Sequence, residues 1–388
     1  MSASGKQQRL PNYAVLDEES ALGYAKLTSD GVYDLLPSER FWQERQPYLR
    51  ERGYLLRPRY SPGWEPSWKG TRLDPTFCED SIMLINFHVI DAKRVEDDQL
   101  VAIKKLRNGT NESRIAMYLA SLTDSQNHCV RIKEILSDPL DSHLSLMVMP
   151  YLRPCNDPDF STVGDVIDFV SQTLEGLVFM HKHRVAHRYD ILELRAQLAH
   201  EVDRDIAMMN IMMDASSLYP AGHHPVRRGY APDGLYPAAA LPRGSRSVTY
   251  YYVDFGLSSM FSEGEPVNVV GRVGRDKQAP ELSSTVPYDP FKIDIFALGN
   301  LYFKEFEQKY NNMHFLVPLI ENMRKADPRA RLSAAELLQQ WQGLRADIKE
   351  SLYRWRLGPK SEPPLERVLN DTVAVAWEGI HHLKKFVR

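Results

Sequence analysis

The stretch VAIK, Val101 to Lys104, ends an apolar strand on a lysine, and Glu112 follows on the next amphipathic stretch, NESRIAMYLASL. An ammonium so placed can pair with phosphate oxygens, and a carboxylate on the neighbouring helix can hold it there. Asp254-Phe255-Gly256 comes directly after the strand-like TYYYV and offers a carboxylate to a divalent cation. Ala279-Pro280-Glu281 stands twenty-five residues beyond Asp254. A fourth string is divided. His187-Arg188 and Asp205-Ile206-Ala207-Met208-Met209-Asn210 would read HRDIAMMN if joined, but the sixteen residues Tyr189 to Arg204 separate them.

These residues need elements to position them. Residues 1–36 are polar and read as a flexible extension. Residues 37–80 hold a short helix, with Ser38 as its N-cap and its end near Gly53, followed by an aromatic and proline-rich flank. Residues 81–152 read as a small strand-rich unit: SIMLINFHVIDAKRV, a turn at Glu96 to Asp98, QLVAIKKL, then a helix with Ile115, Tyr118 and Leu119 on one face, and the buried strand LSLMVMPYL. Residues 153–345 are helical, beginning with a long core helix that carries Val166, Phe169, Val170, Leu174, Leu177 and Val178 at i, i+3, i+4 spacing. Ala215 to Ser247, rich in proline and glycine, reads as a mobile loop inserted between two short strands, and residues 346–388 as a helical extension. The fold class is therefore α+β and bilobal, a small β-rich lobe before a larger helical one. Ionisable residues at such a joint point to phosphoryl transfer.

With 48 Lys plus Arg against 51 Asp plus Glu, no overall charge favours nucleic acid or an anionic membrane. No apolar run reaches the roughly 20 residues of a membrane helix. Three cysteines without paired spacing, Cys78, Cys129 and Cys155, fit a reducing, intracellular setting, cytoplasmic or nuclear.

In order and spacing, the motifs of residues 80–345 resemble those of the eukaryotic protein kinase family. Asp294 in DIFALG is similar to the aspartate that ties the catalytic-loop backbone, and Arg331 to the arginine that pairs with the glutamate of APE, here Glu281. The resemblance implies ATP and Mg²⁺ as cofactors. Lys104 and Glu112 would clamp phosphates, Asp205 would be the catalytic base beside His187 and Arg188, and Asn210 and Asp254 the Mg²⁺ ligands. Val89, Ala102, Met149, Pro150 and Leu152 would surround the adenine. The RPRY-x-PGW-x-PSW stretch is similar to one in kinase-like proteins of mushroom-forming fungi. The expected partner is a protein substrate, probed by a monomeric chain of the Ser/Thr type.

Four features depart from the family pattern. Ile82, Leu84 and Phe87 stand where its glycine-rich loop has glycines, so the backbone cannot cradle phosphates. Ala207 replaces the usual lysine, GRDKQ before Ala279 lacks the docking-loop threonine, and Tyr189 to Arg204 divides the catalytic loop. That insert reads as a retained short intron if Arg188 and Arg204 share the codon AGG. A pseudokinase used as a binding scaffold is the alternative, and a small-molecule phosphotransferase of related fold ranks last. His223-His224, lacking further ligands, read as a solvated loop pair, as do Arg227, Arg228, Arg243 and Arg246; Trp64 and Trp68 read as packing residues.

Deleting Tyr189 to Arg204 rejoins Arg188 to Asp205. The expected result is an intact fold and greater phosphotransfer to a generic protein substrate, with Asp205→Asn in the same background as the blank, since a displacement of about 1 Å at a catalytic group can cost on the order of a hundredfold. A deletion protein that unfolds, or is less active than the full chain, would make the insert integral.

Overall fold

The computed structural model describes residues 14–84, 86–188, 210–271 and 278–374. These form two compact units, the first from residues up to Asn108 with Lys133–Tyr151 and Tyr219–Ala240, the second from Gly109–Ile132, Leu152–Leu218 and Leu241 onward.

In the first unit an antiparallel sheet is built from β1 (Tyr54–Leu55), β2 (Val89–Arg94), β3 (Leu100–Arg107), β4 (Glu134–Ser137) and β5 (Leu144–Pro150), in the order β1-β2-β3-β5-β4. Paired residues share a face. The register Ile90↔Ile103↔Val148 sends one face, with Ala92, Val101 and Leu146, into the core. The register Val89↔Lys104↔Met147 and Asp91↔Ala102↔Met149 gathers those six residues on the other. Two helices precede the sheet, α1 (Glu18–Ser29) and α2 (Pro37–Glu51). Proline at its first position and a left-handed Gly53, φ +85°, delimit α2, whose Trp42 and Leu49 join the apolar core.

Three expectations are corrected here. The cap of α2 is Leu36, whose backbone N–H donates to Glu39 Oε2 at 3.1 Å, rather than Ser38. The sheet does not begin at Ser81: its first strand is Tyr54–Leu55, and between β1 and β2 the described residues include the short 3₁₀ turns Pro58–Tyr60, Pro75–Phe77 and Glu79–Ser81. Residues expected to be a flexible extension contain α1, anchored by a bond from Trp68 Nε1 to Thr28 Oγ1 at 2.9 Å.

The long segment 56–88 is held by buried charge. Arg59 and Glu39 are both wholly buried and meet through two bonds, 2.9 and 3.0 Å, while Arg59 also donates to Asp80 O and Tyr60 OH donates to Glu39. Asp80 in turn accepts from Trp64 Nε1 and from Ser67. The aromatic and proline-rich flank thus closes on itself through these polar bonds.

The second unit contains α3 (Asn111–Ser121), β6 (Arg153–Pro154), α4 (Val163–Lys182), β7 (Val185–Ala186), β8 (Ile211–Asp214), β9 (Thr249–Tyr252), β10 (Ser259–Met260), α5 (Pro290–Tyr302), α6 (Val317–Met323), α7 (Ala334–Ala346) and α8 (Glu350–Tyr353). Thr162 and Asp165 form a capping box that starts α4, and the expected stripe is buried except for half-buried Val178. On α3, Ile115 and Leu119 are buried, but Tyr118 is exposed and Ala116 takes the core position beside them. A β-carbon on Gly176 would come within 2.8 Å of both His128 and Tyr252, so glycine lets α4 approach β9 closely.

Replacing Arg59 with Leu should strand the Glu39 carboxylate and cost about 3 to 5 kcal/mol in chemical denaturation. Burial alone would raise the Glu39 pKa, but Arg59 and the Leu36 N–H hold it below its ordinary value. A depressed folded value means that this stability is present above the unfolded pKa and is lost as pH falls through the folded one. Glu39→Gln should therefore lower stability at neutral pH and flatten its decline in acid; an unchanged acid profile would contradict the pairing.

Candidate functional site

The second unit fixes its ionisable residues around one buried carboxylate. Asp294, 0% exposed on α5, accepts the backbone N–H of His187 at 2.7 Å and of Arg188 at 2.8 Å, and lies 3.2 Å from His181 Nε2. Arg188 is left-handed, φ +56°, a conformation of the kind that such a pair of bonds can hold. The His187 ring donates from Nε2 to Val253 O at 3.0 Å and lies 5.2 Å from the buried Phe255 ring, while Ser258 Oγ donates to His187 O. Burial depresses the His187 pKa, so the ring is neutral with its proton on Nε2. The residue that begins the divided string is thereby tied to the residue just before Asp254.

Asp254 is left-handed, φ +62°, and exposed. Asn210, buried just before β8, pairs with the residue before Asp254 at the end of the antiparallel β8–β9 pair, its O accepting from Val253 N at 3.0 Å. A carboxylate and an amide are side-chain types whose oxygens suit a hard divalent cation, so the chemistry of the two residues is compatible with Mg²⁺. Glu112 stands near them: a β-carbon on Gly256 would lie 3.2 Å from Asp254 Oδ1 and 3.6 Å from Glu112 Oε2.

In the first unit, Lys104 shares its sheet face with Val89, Ala102 and Met149, all half-buried, and Pro150 ends β5. Lys104 lies in the first unit, Glu112 and the buried Leu152 in the second. Ile82 and Leu84 are buried, and Phe87 packs on the core cluster that includes Leu84. Where glycines would leave bare backbone, these side chains fill apolar space.

The same face carries a residue that sequence reasoning passed over. Asp91, opposite Ala102, is buried and bonded by Arg57 Nε at 3.2 and 3.3 Å. Arg57 also donates to Ile82 O at 2.8 Å and to Glu79 at 3.2 Å, and His224 Nε2 reaches the same Glu79 oxygen at 3.1 Å. Burial works against the Glu79 charge, but His224 and Arg57 keep its pKa below the ordinary value. The expectation of a solvated histidine pair and a mobile loop is therefore corrected: His223 and His224 are buried, Arg227 donates to Thr76 O and Gly234 O, and Arg243 is buried against Cys155 O, Pro158 O and Tyr250 OH. The readable signal was Asp91 itself, an acid in the middle of an apolar strand, which burial obliges to find a cation.

Asp205, Ala207, the insert Tyr189 to Arg204 and Gly274 to Lys277 lie outside the described residues. Of the APE triplet, Ala279 is buried and Pro280 exposed, while Glu281 forms a two-bond pair with Arg331; Arg331 Nη2 lies 2.9 Å from Glu281 Oε2, Arg331 Nε donates to Lys325 O and Arg331 Nη1 to Lys292 O. Among the described residues there is no group of three or more metal-ligating side chains of the His, Cys, Asp and Glu types, and no helix long and apolar enough to cross a membrane.

No family model and no curated protein matches the chain. Among solved structures it is similar to a chain of the yeast RNA Pol II CTD kinase CTDK-1 complex, with 16% identity and a TM-score of 0.45 over 66% of this chain and 90% of that one.

Arg331→Ala should cost about 3 to 5 kcal/mol, because it leaves Glu281 charged and largely buried without its partner. Equilibrium denaturation of the full chain checks this; unchanged stability would place the pair among the energetically neutral ones.

Proposed function

We propose that this chain is a kinase-like phosphotransferase that uses ATP·Mg²⁺ and passes the terminal phosphoryl group to a hydroxyl of a protein. The observation that carries the reading is the hold of Asp294 on the His187 and Arg188 N–H groups, joined through His187 Nε2 to the strand end that delivers Asp254. That arrangement makes one rigid frame from the start of the divided loop and the acidic residue beside Asn210. Lys104, with Glu112, would bind phosphate oxygens; Val89, Ala102 and Met149 would pack on the adenine, and Pro150 and Leu152 would meet its polar edge. Asn210 and Asp254 would hold Mg²⁺, which when bound neutralises charge on the phosphate oxygens. Asp205 would orient the acceptor hydroxyl and take its proton, in a Ser/Thr-type reaction. The chain would act as an intracellular monomer on a protein partner, without nucleic acid or membrane.

A second reading, a nucleotide-binding scaffold without transfer, is favoured by the packed Ile82, Leu84 and Phe87, which give the phosphates no glycine cradle.

Nucleotide-induced stabilisation separates these outcomes. ATP with Mg²⁺ near 100 times its Kd should stabilise the chain by about 2.7 kcal/mol, and Asp254→Asn should remove the Mg²⁺-dependent part. Binding with transfer of labelled phosphate to a generic protein substrate supports the enzyme; binding without transfer supports the scaffold. No stabilisation at millimolar ATP·Mg²⁺ would overturn both nucleotide readings.

A further inference from the structure

The face of the sheet that carries Val89, Ala102, Lys104 and Met149 is half-buried at those residues, and a segment far away in sequence reaches it. Tyr219–Ala240 belongs to the first unit, although the residues flanking it on both sides belong to the second. It reaches this face at two points. At one, His224 is 1% exposed and bonds Glu79, which shares Arg57 with Asp91, the residue directly opposite Ala102. At the other, Tyr151, immediately after Pro150, donates its hydroxyl to Pro225 O at 2.6 Å, and its ring lies 5.5 Å from that of His223.

His224 is built into the segment with a defined proton. Its Nδ1 accepts the backbone N–H groups of Val226, 3.1 Å, and Arg227, 2.9 Å, so the ring proton sits on Nε2 and is donated to Glu79. One imidazole therefore shapes the turn on one side and fixes the carboxylate on the other. Close packing adds a second constraint. Gly234 is left-handed, φ +71°, and a β-carbon there would stand 3.0 Å from Ile82 Cδ1, with His224 at 3.4 Å. Ile82 is also the residue whose O accepts from Arg57. The segment thus sets Ile82, which stands where a glycine was expected, and Tyr151, which follows the strand end.

We propose that Tyr219–Ala240 is a strap that forms the specificity-determining rim of the purine site, with His224 as the positioning residue that fixes Ile82 through Glu79 and Arg57, and Tyr151 through the turn at Pro225. The rim performs at the base what a glycine-rich loop performs at the phosphates. It confines the ligand from the side by a fixed wall of side chains, and selectivity follows because a base with a differently placed polar edge meets that wall with unpaired groups.

This inference rests on the nucleotide-binding reading above. The experiment measures the Kd of the full chain for ATP·Mg²⁺ and for GTP·Mg²⁺, in the natural protein, His224→Ala, His224→Gln and Tyr151→Phe. The natural protein should prefer ATP. That preference should fall on the order of tenfold in His224→Ala and measurably in Tyr151→Phe, while His224→Gln, whose amide can still donate to Glu79 and accept from the turn, should retain it. The affinity ratio is the decisive readout, because a purely structural role would lower the melting temperature and weaken both nucleotides alike. If His224→Ala does not fold, Tyr151→Phe, which removes one hydroxyl, carries the test. A natural protein that binds ATP, with a ratio unaltered in both variants, would overturn the strap alone; a natural protein that binds neither nucleotide would overturn the nucleotide reading and the strap together.

Discussion

A single buried carboxylate organises the second unit. Asp294 is wholly buried and accepts two backbone N–H groups at 2.7 and 2.8 Å, with His181 beside it. A buried carboxylate deprived of these donors would face a large desolvation cost, so the bonds hold the backbone of His187 and Arg188 as firmly as they hold the acid. From there the constraint passes outward: His187 to Val253, Ser258 to His187, and Phe255 against the His187 ring. The left-handed conformations of Arg188 and Asp254 lie at the two ends of this chain of bonds. Backbone strain at those points is sustained by the network, as is usual where a surrounding structure over-determines a site.

The first unit uses arginine for a comparable purpose. Arg57 and Arg59 stand two residues apart and serve different carboxylates, Asp91 on the sheet and Glu39 on α2, while both also reach backbone oxygens at Ile82 and Asp80. Planar guanidinium groups suit this role, since one side chain can satisfy several acceptors in fixed directions. Buried pairs of this kind give specificity of arrangement more readily than net stability. Their effect is to seat the segment between β1 and β2, which among the described residues holds no strand of its own.

Local pattern and non-local bonding were unequally legible in the sequence. The stripe of α4 and the hairpin β2–β3 could be read because their periods repeat within a few residues, and the cap Thr162 with Asp165 is a local signature. Family resemblance supplied Asp294 and Glu281 with Arg331, whose partners no periodicity could have joined. Four errors share one physical origin. The strand assigned from Ser81, the loose extension before Pro37, the solvated histidines and the mobile loop all depend on contacts made across long stretches of chain: His224 meets Glu79 across 145 positions, and Trp68 meets Thr28 across 40. An apolar run such as SIMLINF satisfies a strand pattern and a packed irregular segment equally well, and the choice is made by partners elsewhere.

The composition of the first unit has a consequence for biosynthesis. Its sheet is complete by Pro150, yet the unit includes Tyr219–Ala240, and Glu79 receives its histidine only from position 224. A ribosome adding about 5 to 20 residues per second therefore makes the sheet several seconds before the piece that covers the Arg57, Asp91 and Glu79 cluster. During that interval a set of charged groups that ends up buried is still wet, and the nascent sheet has an unfinished border. Order in this protein is thus acquired out of sequence, with the N-terminal unit sealed by a segment translated after all five strands of its sheet and the whole of α4.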